Sequence, residues 1–295
     1  MREETLTSLD GLLPHALIAC ALLVWLGWAD TRKRQTLGAC LTLSTLSVSV
    51  AILQGYVPWW GVLILLTSLL MTQCVGATPL PSKGLTVPIT LLQGALTFAL
   101  AIHAFGWTSL VLNPAMDLGG EPFVWKAHFD KPFAASLIVI FLLSQPQSTP
   151  RLSLRMLSRM SFLIVSGTSF LIFMTLKLGG SLDLKVSWTA MGFLLANLLF
   201  TVIPEELFFR GLIQAYLPSG SHAKTIITIF ITALLFTMAH FSGSLLEPYL
   251  LLVFLAGLLY AAIYQFSRSI PLAVAAHLTV NAASVLVFQY PIRLA

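Results

Sequence analysis

Apolar stretches follow one another along the chain and are separated by short polar segments. Each stretch is close to the ~20 residues with which an α-helix crosses ~30 Å of hydrocarbon. The pattern therefore predicts an all-α fold, a polytopic transmembrane helix bundle of about ten spans, with eight to ten as the range considered. The predicted spans cover residues 12–29, 36–54, 59–77, 86–105, 132–146, 161–178, 186–217, 225–241, 249–266 and 270–288.

Two parts of this pattern differ from a simple span. Stretch 186–217 is long enough to be kinked, and Pro204 is the expected position because proline removes a backbone donor. Segment 107–131 is the longest polar connection, and we expect it to be an interfacial loop, with a loop covering an active site as the alternative.

Composition supports a membrane protein. Charged residues make up only 9% of the chain and hydrophobic residues 57%, whereas a soluble domain carries about 25% charged residues. The net charge of +5 is spread over short loops, so no nucleic-acid partner is expected. Cys20, Cys40 and Cys74 lack the spacing of metal ligands and are expected to be small core residues.

The distribution of basic residues predicts the orientation in the membrane. If the N-terminus is outside, the cytoplasmic loops hold Arg32, Lys33, Arg34, Lys83, Arg151, Arg155, Arg159, Lys224 and Arg268. Lys and Arg collect in cytoplasmic loops. We therefore expect a multi-pass protein of the cytoplasmic (inner) membrane with both termini outside.

Polar residues of chemically useful types lie within the apolar stretches after residue 200. Ionisable groups at membrane depth cost at least ~2.5–3.5 kcal/mol each, so they are usually functional. Counted along helices from the cytoplasmic ends of their spans, Glu205 and Asn281 lie at ~18 Å, His240 at ~24 Å and His277 at ~12 Å. Three helices thus bring polar groups into one layer within the membrane.

Two adjacent acids in the seventh stretch have different surroundings. Glu206 and Arg210 are four residues apart with the acid first, which favours an ion pair on one helix face. Glu205 points about 100° away from Glu206 and lacks a local cation. We expect Glu205 to be the general base and the Glu206–Arg210 pair to support the helix.

The remaining polar residues complete a hydrolytic arrangement. His277 and Asn281 share a helix face and can donate hydrogen bonds to an oxyanion. Phe236 and His240 share a face on the eighth stretch, where the ring could orient the imidazole. His240 and Glu205 could then hold and polarise a water molecule.

Three motifs carry a family resemblance: Glu205-Glu206-x-x-x-Arg210, Phe236-x-x-x-His240 and His277-x-x-x-Asn281. They resemble those of the CPBP family, the CAAX prenyl protease type II and bacteriocin-processing (Abi) intramembrane proteases, over roughly residues 190–288. The resemblance implies peptide-bond hydrolysis by water that Glu205 and His240 activate. It also implies an oxyanion hole formed by His277 and Asn281, with Glu206 and Arg210 in supporting positions.

The resemblance divides the chain into N-terminal transmembrane helices of unknown role, residues 1–185, and a CPBP-like catalytic membrane domain, residues 186–295. Two histidines and Glu205 could in principle bind zinc. However, the sequence contains no His-Glu-x-x-His zinc motif. We therefore favour a metal-free glutamic protease without cofactors, with a zinc enzyme as the alternative.

The expected function is that of an intramembrane endopeptidase acting on a membrane-associated peptide or protein substrate in the lipid bilayer. The alternatives are a non-catalytic membrane immunity or binding protein and a proton-coupled transporter, since intramembrane Glu and His residues can form proton relays. The other histidines have simpler roles. His15 and His103 are expected to form helix–helix hydrogen bonds, and His128 and His222 to be solvated in loops.

Overall fold

A computed structural model describes most of the 295-residue chain. The described residues are 9–28, 33–64, 66–67, 70, 107, 109–144, 152–218, 220–241, 248–292 and 294. The predicted span 86–105 lies outside them, as do Cys74, His103 and much of the predicted span 59–77.

Helices account for most of the described residues. They are α1 (Leu9–Trp28), α2 (Lys33–Leu53), α3 (Asp130–Ser144), α4 (Leu154–Lys177), α5 (Trp188–Tyr216), α6 (His222–Met238), α7 (Pro248–Ser267) and α8 (Ile270–Val287). Within the described part of the chain, five helices are long and apolar enough to cross a membrane: most of α2, and α4, α5, α7 and α8. The prediction of a mostly helical fold is confirmed, whereas the count of about ten spans stays a prediction.

One element differs from the all-α prediction. Strands β1 (Ser109–Met116) and β2 (Phe123–His128) pair as a two-stranded sheet in the segment that was expected to be an interfacial loop. β1 contains Val111, and β2 contains Phe123, Val124 and Trp125, all of them β-favouring residues. Gly119 adopts a positive φ of 82° between them, and its N–H donates to Asp117 Oδ1 over 2.8 Å. The segment is therefore a turn-closed hairpin.

The chain forms two compact units. The first unit contains Met1–Pro114, Val124–Ser148 and Leu199–Phe208. In it, α1 packs against α2, and both contact α3. The hydroxyl of Ser47 on α2 donates to the carbonyl of Pro14 on α1 over 2.6 Å, a type of polar contact that joins helices in membranes.

His15 belongs to the core of this first unit. Its ring is buried and meets the rings of Tyr56, Phe129 and Phe200 edge-on, with centroids 5.5, 5.5 and 5.9 Å away. Edge-to-face contacts of this kind stabilise aromatic clusters. His15 therefore packs as a core residue, while His128 ends β2 half-buried and His222 is the exposed first residue of α6 rather than a loop residue.

The second unit contains Ala115–Phe123, Thr149–Leu198 and Phe209–Ala295. Helix α7 packs against α4, α6 and α8 in this unit. Gly257 brings α7 close to α6, because a Cβ built at this glycine would lie 3.3 Å from both Ala233 Cα and Phe236 Cδ1. Small residues allow such close approach of membrane helices. Large apolar side chains of α4 and α6 are exposed, as lipid-facing surfaces require.

A larger side chain at residue 257 should separate α6 from α7. We expect Gly257→Leu to destabilise the protein by about 1–3 kcal/mol, the usual cost of overpacking. Thermal unfolding in detergent micelles measures this loss. Gly192→Leu is the matched control, because nothing lies within 4 Å of a Cβ at this helical glycine. Equal unfolding temperatures for the two variants would contradict the close packing.

Candidate active site

The helix that carries the first motif changes its winding twice. Helix α5 has π turns at Leu198–Val202 and Leu207–Ile213 on either side of an α-helical turn, Ile203–Glu206. Pro204 lies at the start of that turn and supplies no backbone N–H to the preceding turn. The expected disturbance at Pro204 thus takes the form of two flanking π turns, and such turns are frequent at functional sites.

Glu205 forms an ion pair that the sequence analysis did not anticipate. Its Oε1 lies 3.3 Å from Nζ of Lys131, and the two side chains are 10% and 28% exposed. Lys131 is in the first turn of α3, 74 residues earlier in the chain. The expectation that Glu205 lacks a local cation is therefore wrong, because the cation comes from another helix.

Arg210 is completely buried in the second unit. Its Nη2 donates to the carbonyl oxygen of Gly257 over 3.2 Å. The guanidinium also lies over the rings of Phe236 and Tyr260, with its Cζ 5.1 and 5.5 Å from their centroids. These cation–π contacts partly replace the lost hydration of the charge. Glu206 is also buried, and its predicted pairing with Arg210 stays a prediction.

Gln214 extends this anchorage along α5 and was missed in the sequence. Its Nε2 donates to the carbonyl of Ala261 over 2.8 Å and to Oε1 of Gln265 over 3.3 Å. Gln214 and Arg210 therefore bind carbonyls of α7 that are also four residues apart. The sequence signal for this role was a glutamine four residues after an arginine within an apolar stretch, which places both on one helix face.

His240 lies beyond the end of its helix. Helix α6 ends at Met238, so the placement of His240 within a span ending at residue 241 is corrected. The His240 backbone N–H donates to the carbonyl of Thr237. The carbonyl of Phe236 accepts a hydrogen bond from Nδ1 of the His240 imidazole over 2.8 Å. The Phe236 ring also contacts the imidazole, with centroids 4.6 Å apart.

The hydrogen bond of His240 fixes the chemical role of each ring nitrogen. A backbone carbonyl can only accept, so Nδ1 must carry the proton. In the neutral imidazole the lone pair is then on Nε2. His240 thus presents Nε2 as the nitrogen able to bind a water proton, a substrate group or a metal ion.

His277 is held by aromatic faces. It is buried on α8, stacks on Tyr260 with centroids 4.5 Å apart and an interplanar angle of 16°, and meets the edge of Phe236 at 5.7 Å. Tyr260 therefore contacts both His277 and Arg210. No motif marks Tyr260, and its place on an apolar helix gave no signal in the sequence.

Asn281 has a partner from the first motif helix. Its Nδ2 donates to Oδ1 of Asn197 over 2.8 Å. Asn197 is the last residue of the segment Trp188–Asn197, directly before the first π turn. An amide nitrogen carries two N–H groups, so this bond orients Asn281 and uses one of them.

The second unit thus gathers most of the predicted side chains. In this unit Arg210, His240, His277 and Tyr260 all contact the ring of Phe236, and Asn281 is bonded to Asn197. Glu205 and Glu206 belong to the first unit, where Glu205 pairs with Lys131. Among the described residues, no group of three or more His, Cys, Asp or Glu side chains is arranged to hold a metal ion.

The apolar helices and their buried polar side chains indicate an integral membrane protein. Residues 187–283 match the family model described as "Type II CAAX prenyl endopeptidase Rce1-like". This match includes all three motifs, and the resemblance to the CPBP family is confirmed for these residues. That description is of a CAAX prenyl endopeptidase. No curated protein and no solved structure matches the chain.

The packing of Arg210 predicts that lysine cannot replace it. Lysine lacks the planar guanidinium that lies on two rings while donating to the Gly257 carbonyl. We expect Arg210→Lys to lose about 2 kcal/mol or more of stability through broken cation–π and hydrogen-bond contacts. Thermal unfolding in detergent measures this. Arg155→Lys, at an exposed arginine of α4, should unfold like the wild type, and an equally stable Arg210→Lys would refute the anchoring role.

Proposed function

We propose that the protein is an intramembrane endopeptidase that hydrolyses a peptide bond of a membrane-associated peptide or protein. Water activated by Glu205 and His240 is the nucleophile, and no metal ion takes part. The observation that carries this proposal is the hydrogen bond from His240 Nδ1 to the Phe236 carbonyl, because in the neutral imidazole it makes Nε2 the acceptor that water activation needs. The family match of residues 187–283 supports the reaction class.

The four catalytic residues divide the reaction between them. The Glu205 carboxylate removes a proton from the water that His240 orients, and the water oxygen attacks the scissile carbonyl carbon. His277 and Asn281 donate hydrogen bonds to the resulting oxyanion. When the tetrahedral intermediate collapses, the C–N bond breaks and Glu205 returns the proton to the leaving amine.

The family description indicates which substrate to test. The matched family is described as a CAAX prenyl endopeptidase, so a farnesylated peptide ending in a CAAX sequence is the substrate to test first.

We propose that the protein lies in the cytoplasmic membrane with both termini outside. The exposed Arg155 and Arg159 near the start of α4 support a cytoplasmic position for that end of the helix.

Removing the charge of Glu205 should slow cleavage strongly. We expect Glu205→Gln to lower kcat by about 10²–10⁴-fold, the usual contribution of a general base, while the protein stays folded. Mass spectrometry of the farnesylated peptide after incubation with purified protein measures the cleavage. Glu121→Gln, in an exposed turn, is the control and should cleave normally.

Unchanged turnover by Glu205→Gln would rule out the mechanism. If the variant lost cleavage yet retained a protective effect in cells, a membrane immunity or binding protein would be favoured. Proton-coupled flux into liposomes that depends on Glu205 would favour a transporter.

The metal-free mechanism predicts insensitivity to chelation. Treatment of the purified protein with 1,10-phenanthroline, followed by its removal, should leave the rate of peptide cleavage unchanged because no step uses a metal ion. Loss of activity that added zinc restores, with bound zinc detected by elemental analysis, would instead establish the zinc enzyme. A known zinc protease treated in parallel verifies that chelation worked.

A further inference from the structure

The ion pair between Lys131 and Glu205 joins the N-terminal region to the residue proposed as general base. Nζ of Lys131 is 3.3 Å from Oε1 of Glu205, and both residues belong to the first unit. Lys131 lies outside residues 187–283, which match the protease family. The contact therefore gives a chemical role to a part of the chain for which the motifs provide none.

The surroundings distinguish this contact from a surface salt bridge. An exposed pair contributes little, because water screens both charges. Here the Glu205 side chain is only 10% exposed and Lys131 28% exposed. The rest of α3 from Pro132 to Phe141 is buried, and α3 packs against the Ile203–Glu206 turn of α5. Water screens the two charges only partly in this setting, so they attract each other. Removing one partner would leave the other charge unpaired in a largely buried position, which is costly.

Lys131 reaches Glu205 from the first turn of α3. Helix α3 begins at Asp130, whose Oδ1 accepts from the Lys131 backbone N–H over 3.0 Å. Lys131 thus extends from the first turn of α3, where the helix dipole is positive and favours a nearby anion.

We propose that Lys131 is a positioning residue for Glu205. Its ammonium group holds Oε1 of the ionised carboxylate, and the second carboxylate oxygen is turned to the water that Glu205 deprotonates. A carboxylate has two oxygens that accept hydrogen bonds, so one can be anchored while the other reacts. This inference rests on the proposed protease function.

Three substitutions at residue 131 separate charge, hydrogen bonding and packing. Lys131→Met keeps most of the apolar stem, Lys131→Gln keeps a donor without charge, and Lys131→Arg keeps the charge. We expect Met and Gln to lower kcat for the farnesylated peptide between about tenfold and 10²-fold, as misplacement of a catalytic group does. KM should change little, and Arg should restore most of the rate. Lys126→Met, at an exposed lysine of β2, is the matched control.

A double substitution tests whether Lys131 acts through Glu205. In the Glu205→Gln background, Lys131→Met should cause no further loss of kcat, because the carboxylate that it positions is already absent. Independent losses that multiply would overturn the inference. If Lys131→Met cannot be extracted as folded protein, Lys131→Gln is measured in its place.

The outcomes for the inference and for the proposed function are distinct. Unchanged turnover by Glu205→Gln, or a wild-type protein that does not cleave the peptide, would overturn the proposed function and the inference with it. If Glu205→Gln is inactive but Lys131→Met and Lys131→Gln keep the wild-type kcat, only the inference fails. A lower unfolding temperature with unchanged kcat would give Lys131 a purely structural role and would also overturn it.

Discussion

A charge inside an apolar bundle requires partners close at hand, and this constraint organises the candidate site. Arg210 is completely buried, and it is accommodated by a carbonyl of α7 and by the faces of two aromatic rings. The ring of Tyr260, which lies against Arg210, also stacks on His277. The packing that accommodates the arginine therefore also orients a predicted catalytic histidine. Structural support and site geometry thus depend on the same contacts.

The unusual winding of α5 follows from the same need. In a regular α-helix, Pro204 would provide no N–H for the carbonyl four residues earlier. Successive side chains of such a helix also point about 100° apart. The two π turns flank the Pro204 turn and change the angle between successive side chains on either side of it. Asn197 lies directly before the first π turn and binds Asn281, while Arg210 lies within the second. The helix thus presents polar groups to different neighbours over a short length.

The sequence predicted the helices and the motif residues because apolar length and motif spacing are local properties. Apart from residues outside the described ranges, the predicted spans correspond to helices with ends that differ by up to seven residues. The Lys131–Glu205 contact could not be predicted, because the two residues are 74 positions apart and Lys131 looked like a loop residue. The end of α6 at Met238 was also missed, since Phe236 and His240 have the spacing of one continuous helix. Such features depend on tertiary packing.

The two histidines of the motifs, His240 and His277, are held in different ways. His240 is held through a ring nitrogen, which commits Nδ1 to a backbone carbonyl and makes Nε2 the acceptor. His277 is held through its ring face by Tyr260. A residue that orients water needs an acceptor, whereas a residue that stabilises an oxyanion needs a donor. The hydrogen bond at the end of α6 therefore orients the His240 imidazole, and the stacking on Tyr260 orients that of His277. Both orientations follow from local packing rather than from the motif letters.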